Sequence, residues 1–342
     1  MKSILLKNGR QILLLIILII QMMVLGRLSE YFLDVTNLLD LSRHLAEAGI
    51  IACGMTAIIM TGGIDLSVGS LLGLCGIVLG YTWKSYGPVA AISAALLTGA
   101  AGGALNGFLV ARWKLPALVV TLATMALFRG LAMAISKAQP FSGFPESFTW
   151  LGQGELFPNS IPTGKDGFRT GLPVQLAFWI GIVTAASLII SRTSVGRYLA
   201  AIGDNSQAAR YAALPVSFAT FGAYAVTGLL CAVASLIFSA RVSTAKADAG
   251  TNLELEVITA VVLGGTAITG GKGTIIGSTL GIIILGFLRN GLSLAQISSV
   301  YQMILAGAVL ISVAILNQWV ASRNFVKKKL DATTADPQVQ AA

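Results

Sequence analysis

The sequence predicts an all-α polytopic membrane protein with about ten transmembrane helices, some short or broken, and with both termini in the cytoplasm. Of its 342 residues, 55% are hydrophobic and only 11% are charged, whereas soluble domains carry about 25% charged residues. Apolar runs recur along the whole chain, many close to the roughly 20 residues that a spanning helix needs. The net charge of +9 comes from scattered loop residues without a basic stripe, which excludes nucleic acid as a partner.

Ten apolar segments are predicted as spans. They cover residues 11–26, 44–61, 66–83, 88–111, 116–136, 172–191, 217–240, 253–269, 274–291 and 299–319. Several are shorter than about 20 residues, which predicts broken or re-entrant pieces. The first segment follows basic residues, as in a signal peptide, but it lacks an A-x-A-like cleavage site. We therefore expect a retained first helix.

The distribution of Lys and Arg predicts the orientation. With the N-terminus inside, the inner segments hold 13 of these residues and the outer segments hold 9, and cytoplasmic loops are enriched in Lys and Arg. Residues 1–322 are predicted to form one transmembrane domain, and residues 323–342 a cytoplasmic tail. Within the domain, residues 137–172 form an outer loop and residues 192–217 an inner loop. The outer loop carries six aromatic residues, which predicts an ordered, partly helical cap.

Residues suited to metal binding or catalysis are few and scattered. Cys53, Cys75 and Cys231 lie in apolar runs without metal-ligand spacing, and His44 is the only histidine. The sequence contains no Ser/His/Asp, Cys/His or paired-carboxylate pattern. We therefore expect no metal site, no catalytic residue and no enzymatic activity in this chain.

The glycine-rich stretch Gly264–Thr274, GGTAITGGKGT, resembles a phosphate-binding loop only in part. The pattern G-x-x-x-x-G-K-[ST] needs a glycine where Thr266 stands and a hydroxyl where Gly273 stands. The stretch is predicted instead as an inner turn between two short helices. Its Lys272 is expected to reach toward lipid headgroups.

Small residues recur in two patterns. Glycines spaced four residues apart let helix backbones approach closely, and they occur at Gly99, Gly103, Gly107, Gly273, Gly277 and Gly281. Residues 61–73 and 269–281 are also identical at seven of thirteen positions. Transporters are often built from internal repeats, but glycine-rich sequences match one another easily, so both explanations stay open.

The inner loop contains a predicted short helix. Asp204, Asn205 and Ser206 are residue types that begin helices, QAARYAAL favours a helix, and Pro215 ends it. A helix lying on lipid would have a strong apolar face and several basic residues. This helix is small and rich in alanine, which favours insertion into a groove on a protein partner.

Several motifs can be read together from about residue 31 to residue 316. They are GR-x3-AIGDN-x2-AAR in the inner loop, GGIDLSVG at 62–69, NG at 106–107, LP at 115–116, FRG at 128–130, ELE at 254–256 and the glycine-rich stretch. These motifs resemble those of the permease subunits of bacterial ABC importers of the ribose-type monosaccharide family. EYFLD, LFRG and ELEVITAVVLGG are similar to the rhamnose and autoinducer-2 permeases. Ala213 departs from the family, in which many members have glycine at this turn.

The resemblance implies a permease of the bacterial inner membrane that passes a monosaccharide or sugar-like molecule of the rhamnose, ribose or autoinducer-2 class. It implies a second permease chain, identical or paralogous, cytoplasmic ATPase subunits that bind ATP and Mg, a periplasmic sugar-binding protein, and contact with lipid. No cofactor is expected on this chain. The cap then either receives the binding protein or only seals the outer mouth. An ion-coupled secondary transporter or channel is the alternative, and it would need buried ionisable residues along its path.

The resemblance assigns three roles to particular residues of this chain. ATPase coupling is expected at Gly196, Arg197, Gly203, Asp204, Asn205, Ala208, Ala209 and Arg210. The translocation path or outer mouth is expected at Asn106, Thr121, Arg129, Glu254 and Glu256. Structural glycines are expected at Gly62, Gly63, Gly69, Gly264, Gly265, Gly270, Gly271, Gly273 and Gly277. For Arg129, an ion pair with a carboxylate and contact with sugar both stay open, and Asp65 is expected to cap the helix after it.

Overall fold

Helices account for most of the described chain. The computed structural model describes residues 2–163 and 169–298 and isolated positions between 300 and 311, with the backbone alone at residues 2–10. The helices are α1 (Lys2–Leu28), α2 (Val35–Met60), α3 (Val68–Ala111), α4 (Ala117–Ser136), α5 (Glu146–Gln153), α6 (Val174–Arg192), α7 (Ser194–Asp204), α8 (Ser206–Tyr211), α9 (Val216–Val242), α10 (Leu253–Leu263) and α11 (Ile275–Leu294). The strands are β1 (Phe141–Ser142), β2 (Glu155–Pro162), β3 (Arg169–Pro173) and β4 (Thr244–Ala245).

Seven of the described helices are long and apolar enough to cross a membrane, judged by length and composition. They are α1 from Gln11 onward, α2, α3, α4, α6, α9 and α11. Only isolated positions of the predicted segment 299–319 are described, and the predicted tail at 323–342 lies outside the described residues. The mostly helical class and the multiple candidate spans are confirmed, while the total of about ten and the orientation stay predictions.

The helix α3 contains two predicted segments joined by a sharp reversal. Gly87 has φ of 80° and ψ of 179°, a conformation that glycine adopts without strain. Pro88 follows, and it has no amide hydrogen to continue the helix. Asn106 Nδ2 lies 2.8 Å from Ser67 Oγ, so the second half of α3 returns alongside the first. The predicted break between residues 83 and 88 is confirmed.

The second half of α3 crosses α9 at a contact between backbones. A Cβ at Gly103 would overlap the carbonyl oxygen of Tyr224, and a Cβ at Gly228 would overlap that of Gly99. Gly107 faces α9 in the same way. The packing role predicted for the first glycine series is confirmed. The buried core around this crossing comes from α2, α3, α9, α10 and α11, with smaller contributions from α4 and α6.

The described chain also contains two small antiparallel sheets, which the all-α prediction did not include. Phe141 of β1 pairs with Ala245 of β4, so the segment after α4 is joined to the segment after α9. Strands β2 and β3 pair as an irregular hairpin. Both sheets lie between the long helices in sequence, where backbone groups need partners that no helix supplies.

The predicted outer loop is an ordered, partly helical cap in its described part. Helix α5 packs against α9 and α6, and the rings of Trp83, Phe144 and Phe148 cluster with centroids 4.9–5.3 Å apart. Residues 164–168 of this loop lie outside the described residues. Helix α6 begins at the cap and leads to α7. We call the end of the bundle with the cap the cap end, and the end with α7 and α8 the coupling end.

Candidate coupling and translocation sites

The short helix α8 begins with the cap that the sequence predicts. Asn205 Oδ1 accepts hydrogen bonds from the amides of Gln207 at 3.0 Å and Ala208 at 2.9 Å, which satisfies amides that have no partner within the helix. Ala213 follows α8 with φ of 57°. This left-handed conformation favours glycine, the residue that the family resemblance leads us to expect there.

The exposed face of α8 differs from the predicted coupling set. Ala209 is only 4% exposed and belongs to a buried cluster with Ile202 and Val216, so its methyl group faces this chain. Tyr211 is 92% exposed at the end of α8. Sequence reasoning missed Tyr211, although an aromatic residue on a predicted exposed helix is a signal for a partner surface. The exposed residues of the loop include Arg197, Asp204, Asn205, Ala208, Arg210 and Tyr211.

The end of α7 is wedged between two turns of the bundle. A Cβ at Gly203 would overlap the carbonyl oxygen of Met60 and the amide nitrogen of Gly271. The Gly271 amide itself donates a 2.9 Å hydrogen bond to the Met60 carbonyl. Gly270 lies beside both Gly203 and Gly62, so the two similar Thr-Gly-Gly turns meet here. We call this backbone contact the coupling junction, because it joins the segment that carries α8 to the ends of membrane helices.

The predicted structural glycines fall into two groups. Four have left-handed backbones: Gly62, Gly265, Gly270 and Gly271. The others lie where a Cβ would meet neighbouring atoms closely: Gly63, Gly69, Gly264, Gly273 and Gly277. Gly196 of the predicted coupling set is also buried, against the backbone of Ile190. These placements favour packing over direct contact with a partner.

The glycine-rich stretch forms the predicted turn between two helices, but only α10 is short, since α11 has 20 residues and is a candidate span. Thr274 precedes α11, and its hydroxyl accepts a hydrogen bond from the Gly277 amide at 3.1 Å. Lys272 is exposed. Gly270 and Gly271 belong to the coupling junction, and Gly264 packs against Gly277. Gly265 has a left-handed backbone, so packing and turn geometry account for these glycines.

A buried polar cluster follows the first Thr-Gly-Gly turn. Asp65 is 2% exposed, and its Oδ1 accepts hydrogen bonds from the amide and hydroxyl of Ser67 at 2.8 and 2.7 Å. Asn106 is fully buried and donates to Ser67 Oγ at 2.8 Å. Burial raises the pKa of the Asp65 carboxyl, and the hydrogen bonds from Ser67 and Asn106 offset only part of that shift. Asp65 thus binds the residue before α3 and not the amides of its first turn, which corrects the expected cap.

Asn106 and Thr121, which were expected on the translocation path or at the outer mouth, are both buried within this chain. Asn106 belongs to the cluster with Asp65. Thr121 is also fully buried, and its hydroxyl donates to the Ala117 carbonyl at 2.9 Å. Their burial favours a structural role over contact with a transported molecule.

Arg129 binds backbone carbonyls. Its Nη1 donates to the carbonyl of Ala249 at 3.0 Å and to that of Ala247. Among the described residues, no carboxylate lies within ion-pair distance of Arg129. Of the two readings left open for Arg129, the ion pair with a carboxylate such as Glu254 or Glu256 is therefore not formed, and Arg129 ties the segment before α10 to α4.

Two ion pairs lie inside the bundle toward the cap end. Glu47 is 5% exposed and accepts a hydrogen bond from Arg241 Nε at 2.8 Å, while Glu256 pairs with Arg289. Glu256 was expected at the outer mouth, but sequence reasoning missed Glu47. A carboxylate within the predicted apolar segment 44–61 is the signal that identifies it.

Glu155 fastens the cap to the bundle. Its carboxylate accepts hydrogen bonds from Arg43 Nη2 at 3.3 Å, from the Thr170 hydroxyl at 2.7 Å and from the Gly171 amide at 2.7 Å. Arg43 belongs to α2, so the hairpin of β2 and β3 is tied to a membrane helix.

The fold is that of a helical protein with several candidate membrane spans, with a short helix presented at one end and an ordered cap at the other. The chain belongs to the family described as branched-chain amino acid transport system / permease component, which matches residues 37–314. The family match therefore covers the coupling junction, the cap and both ion pairs.

Individual relatives are similar over nearly the whole chain. The ribose import permease protein RbsC of Escherichia coli (strain K12) is 41% identical over 309 residues, which are 88% of this chain and 91% of the relative. RbsC of Bacillus subtilis (strain 168) is 36% identical over 88% of this chain and 90% of the relative. The autoinducer 2 import system permease protein LsrD of Photorhabdus laumondii is 36% identical over 89% of this chain and 90% of the relative. No solved structure matches this chain.

Proposed function

We propose that this chain is the permease subunit of an ABC importer in the bacterial inner membrane. Its cargo is a monosaccharide or a sugar-like molecule of the ribose, rhamnose or autoinducer-2 class. The observation that carries the proposal is 41% identity to a ribose import permease over 88% of the chain. The family description names branched-chain amino acids, but the individual relatives that support the proposal are named for ribose and autoinducer 2.

The chain itself supplies no catalytic residue in this proposal. Separate ATPase subunits bind ATP and Mg in the cytoplasm, and each permease chain works beside a second one, identical or paralogous. The coupling end faces the cytoplasm, which the larger number of Lys and Arg in the predicted inner segments supports. The cap end faces the periplasm and receives the sugar-binding protein.

In the proposed mechanism, motion of the ATPase reaches the membrane through α8. The exposed face of α8, which includes Arg210 and Tyr211, fits into a groove on the ATPase. Gly203 lies at the end of α7 next to α8, and its backbone is in direct contact with the Met60 and Gly271 backbones and cannot be compressed. A shift of α8 therefore moves the turns that precede α3 and α11. The relatives are named as import permease proteins, and LsrD as part of an import system, which supports a subunit that works with partners over a stand-alone ion-coupled transporter.

The exposed aromatic ring of Tyr211 tests the docking surface. We expect Tyr211→Glu to weaken binding of the ATPase by about 2 kcal/mol or more, roughly thirtyfold, because an exposed aromatic anchor would be replaced by a charge that must be desolvated. Tyr86→Glu is the matched control, since Tyr86 is 74% exposed at the reversal of α3 near the cap end. Binding can be measured by titrating purified ATPase onto the permease in nanodiscs. Equal affinity for both variants and the wild type would remove α8 from the docking surface.

A further inference from the structure

A polar cavity opens inside the bundle at the cap end. Its volume is about 360 Å³, within the range of about 300–1,000 Å³ that is typical of small-molecule sites. It lies between α2, α3, α9, α10 and α11, and its lining includes Glu47, Phe238, Thr251, Asn252, Glu256 and Arg289. A single water molecule needs only about 10–15 Å³ of cavity volume, so the cavity is far larger than a packing defect.

The charges around this cavity are balanced. Glu47 is bound by Arg241, and Glu256 by Arg289. Because each carboxylate already has a guanidinium partner, a charged ligand would have to displace an ion pair and leave either the buried Glu47 or the partly buried Glu256 uncompensated. A neutral polar ligand avoids that penalty. The Arg289 side chain is 43% exposed, so the cavity is accessible from outside the core.

The lining also provides hydrogen-bonding groups of both kinds. Carboxylate oxygens accept hydrogen bonds, and guanidinium and amide groups donate them. Asn252 stands directly before α10, yet its side chain makes no capping hydrogen bond, so its amide is available to a ligand. Phe238 adds an apolar ring, and sites for small molecules combine apolar walls with a few such polar groups.

We propose that this cavity binds a neutral polyhydroxylated molecule of monosaccharide size during transport. Its hydroxyl groups donate to Glu47 and Glu256 and accept from Asn252 and Arg289, while its C–H face lies against Phe238. The inference rests on the proposed function, because it assigns a place within this chain to the imported sugar. A zwitterionic amino acid is the competing ligand chemistry, and it would have to separate Glu256 from Arg289.

Protection from cysteine labelling tests the proposal. Thr251→Cys places a thiol at an exposed position of the cavity lining, and the native Cys53, Cys75 and Cys231 are buried. The sample is the permease–ATPase complex in nanodiscs, without the binding protein and with a polar maleimide. The probe is whichever of ribose, rhamnose and autoinducer 2 the complete importer accumulates in vesicles, and leucine is tested beside it. Ser147→Cys, exposed on α5, is the control position.

We expect the accumulated sugar to slow labelling at position 251 at least fivefold, with no effect at position 147 and no effect of leucine. Glu256→Gln should raise the sugar concentration needed for half protection about tenfold, and Glu146→Gln on α5 should leave it unchanged. If Glu256→Gln does not fold, Asn252→Ala takes its place with the same expected direction. No protection by a sugar that the importer accumulates would overturn the inference and leave the proposed function standing. Protection by leucine would overturn the polyol class, and a complete importer that accumulates none of the sugars would overturn the proposed function.

Discussion

Gly203→Ala is expected to reduce ATP-driven uptake at least tenfold. The added methyl group would overlap both the Met60 carbonyl oxygen and the Gly271 amide nitrogen. Both neighbours are backbone atoms joined by a hydrogen bond, so neither can rotate away. Overpacking of this kind costs about 1–3 kcal/mol, and here it separates α7 from the turns that precede the membrane helices.

The control for this prediction is Gly181→Ala. Gly181 lies in α6, and a Cβ there would meet no atom within 4 Å. Because alanine is a better helix former than glycine by about 1 kcal/mol, Gly181→Ala should keep full uptake and unchanged or higher thermal stability. Both variants are assayed for uptake and for the amount of ATPase bound. Wild-type uptake by Gly203→Ala would show that the coupling junction does not transmit motion.

Gly228→Leu is expected to prevent folding of the bundle. Gly228 lies where α9 crosses α3, and a Cβ there would approach the backbone atoms of both Gly99 and Gly103. A leucine would have to push the two helices apart along the centre of the core, at a cost of about 3 kcal/mol or more. Natural proteins are stable by only about 5–15 kcal/mol, so we expect little monodisperse protein after purification.

Gly222→Leu is the matched control in the same helix. A Cβ at Gly222 would meet no atom within 4 Å, so the same change in size and hydrophobicity should be tolerated. The two variants are compared by size-exclusion profile and by melting temperature in detergent. Equal profiles would show that the α3–α9 contact does not hold the bundle together.

The helices that could be predicted from the sequence are those with local boundary signals. The predicted segment 116–136 matches α4, which begins after Pro116 and ends before a left-handed Lys137. Helix α2 begins nine residues before its predicted start at residue 44. Its first turns mix polar and apolar residues, and Arg43 there pairs with Asp40 and with Glu155 of the cap. Hydropathy identifies the apolar part of such a helix but not a polar extension stabilised by contacts from elsewhere.

In the candidate coupling and translocation sites, the contacts that could be predicted from the sequence are those between residues close together in the chain. The Asn205 cap joins residues two and three positions apart, and residue types alone predict it. The Glu47–Arg241 pair joins residues 194 positions apart, and no local pattern encodes it. The inward position of Ala209 depends on how α7 and α9 pack around α8, which the sequence of α8 does not specify.

ATP-driven sugar import by this chain is tested most directly by uptake into proteoliposomes that contain this chain, the ATPase encoded nearest to its gene and the matching binding protein. We expect at least one of ribose, rhamnose and autoinducer 2 to accumulate inside when ATP and Mg are supplied, and a proton or sodium gradient alone to drive no accumulation. Accumulation driven by an ion gradient without the ATPase, or ATP-driven accumulation of leucine with none of the sugars, would contradict this expectation.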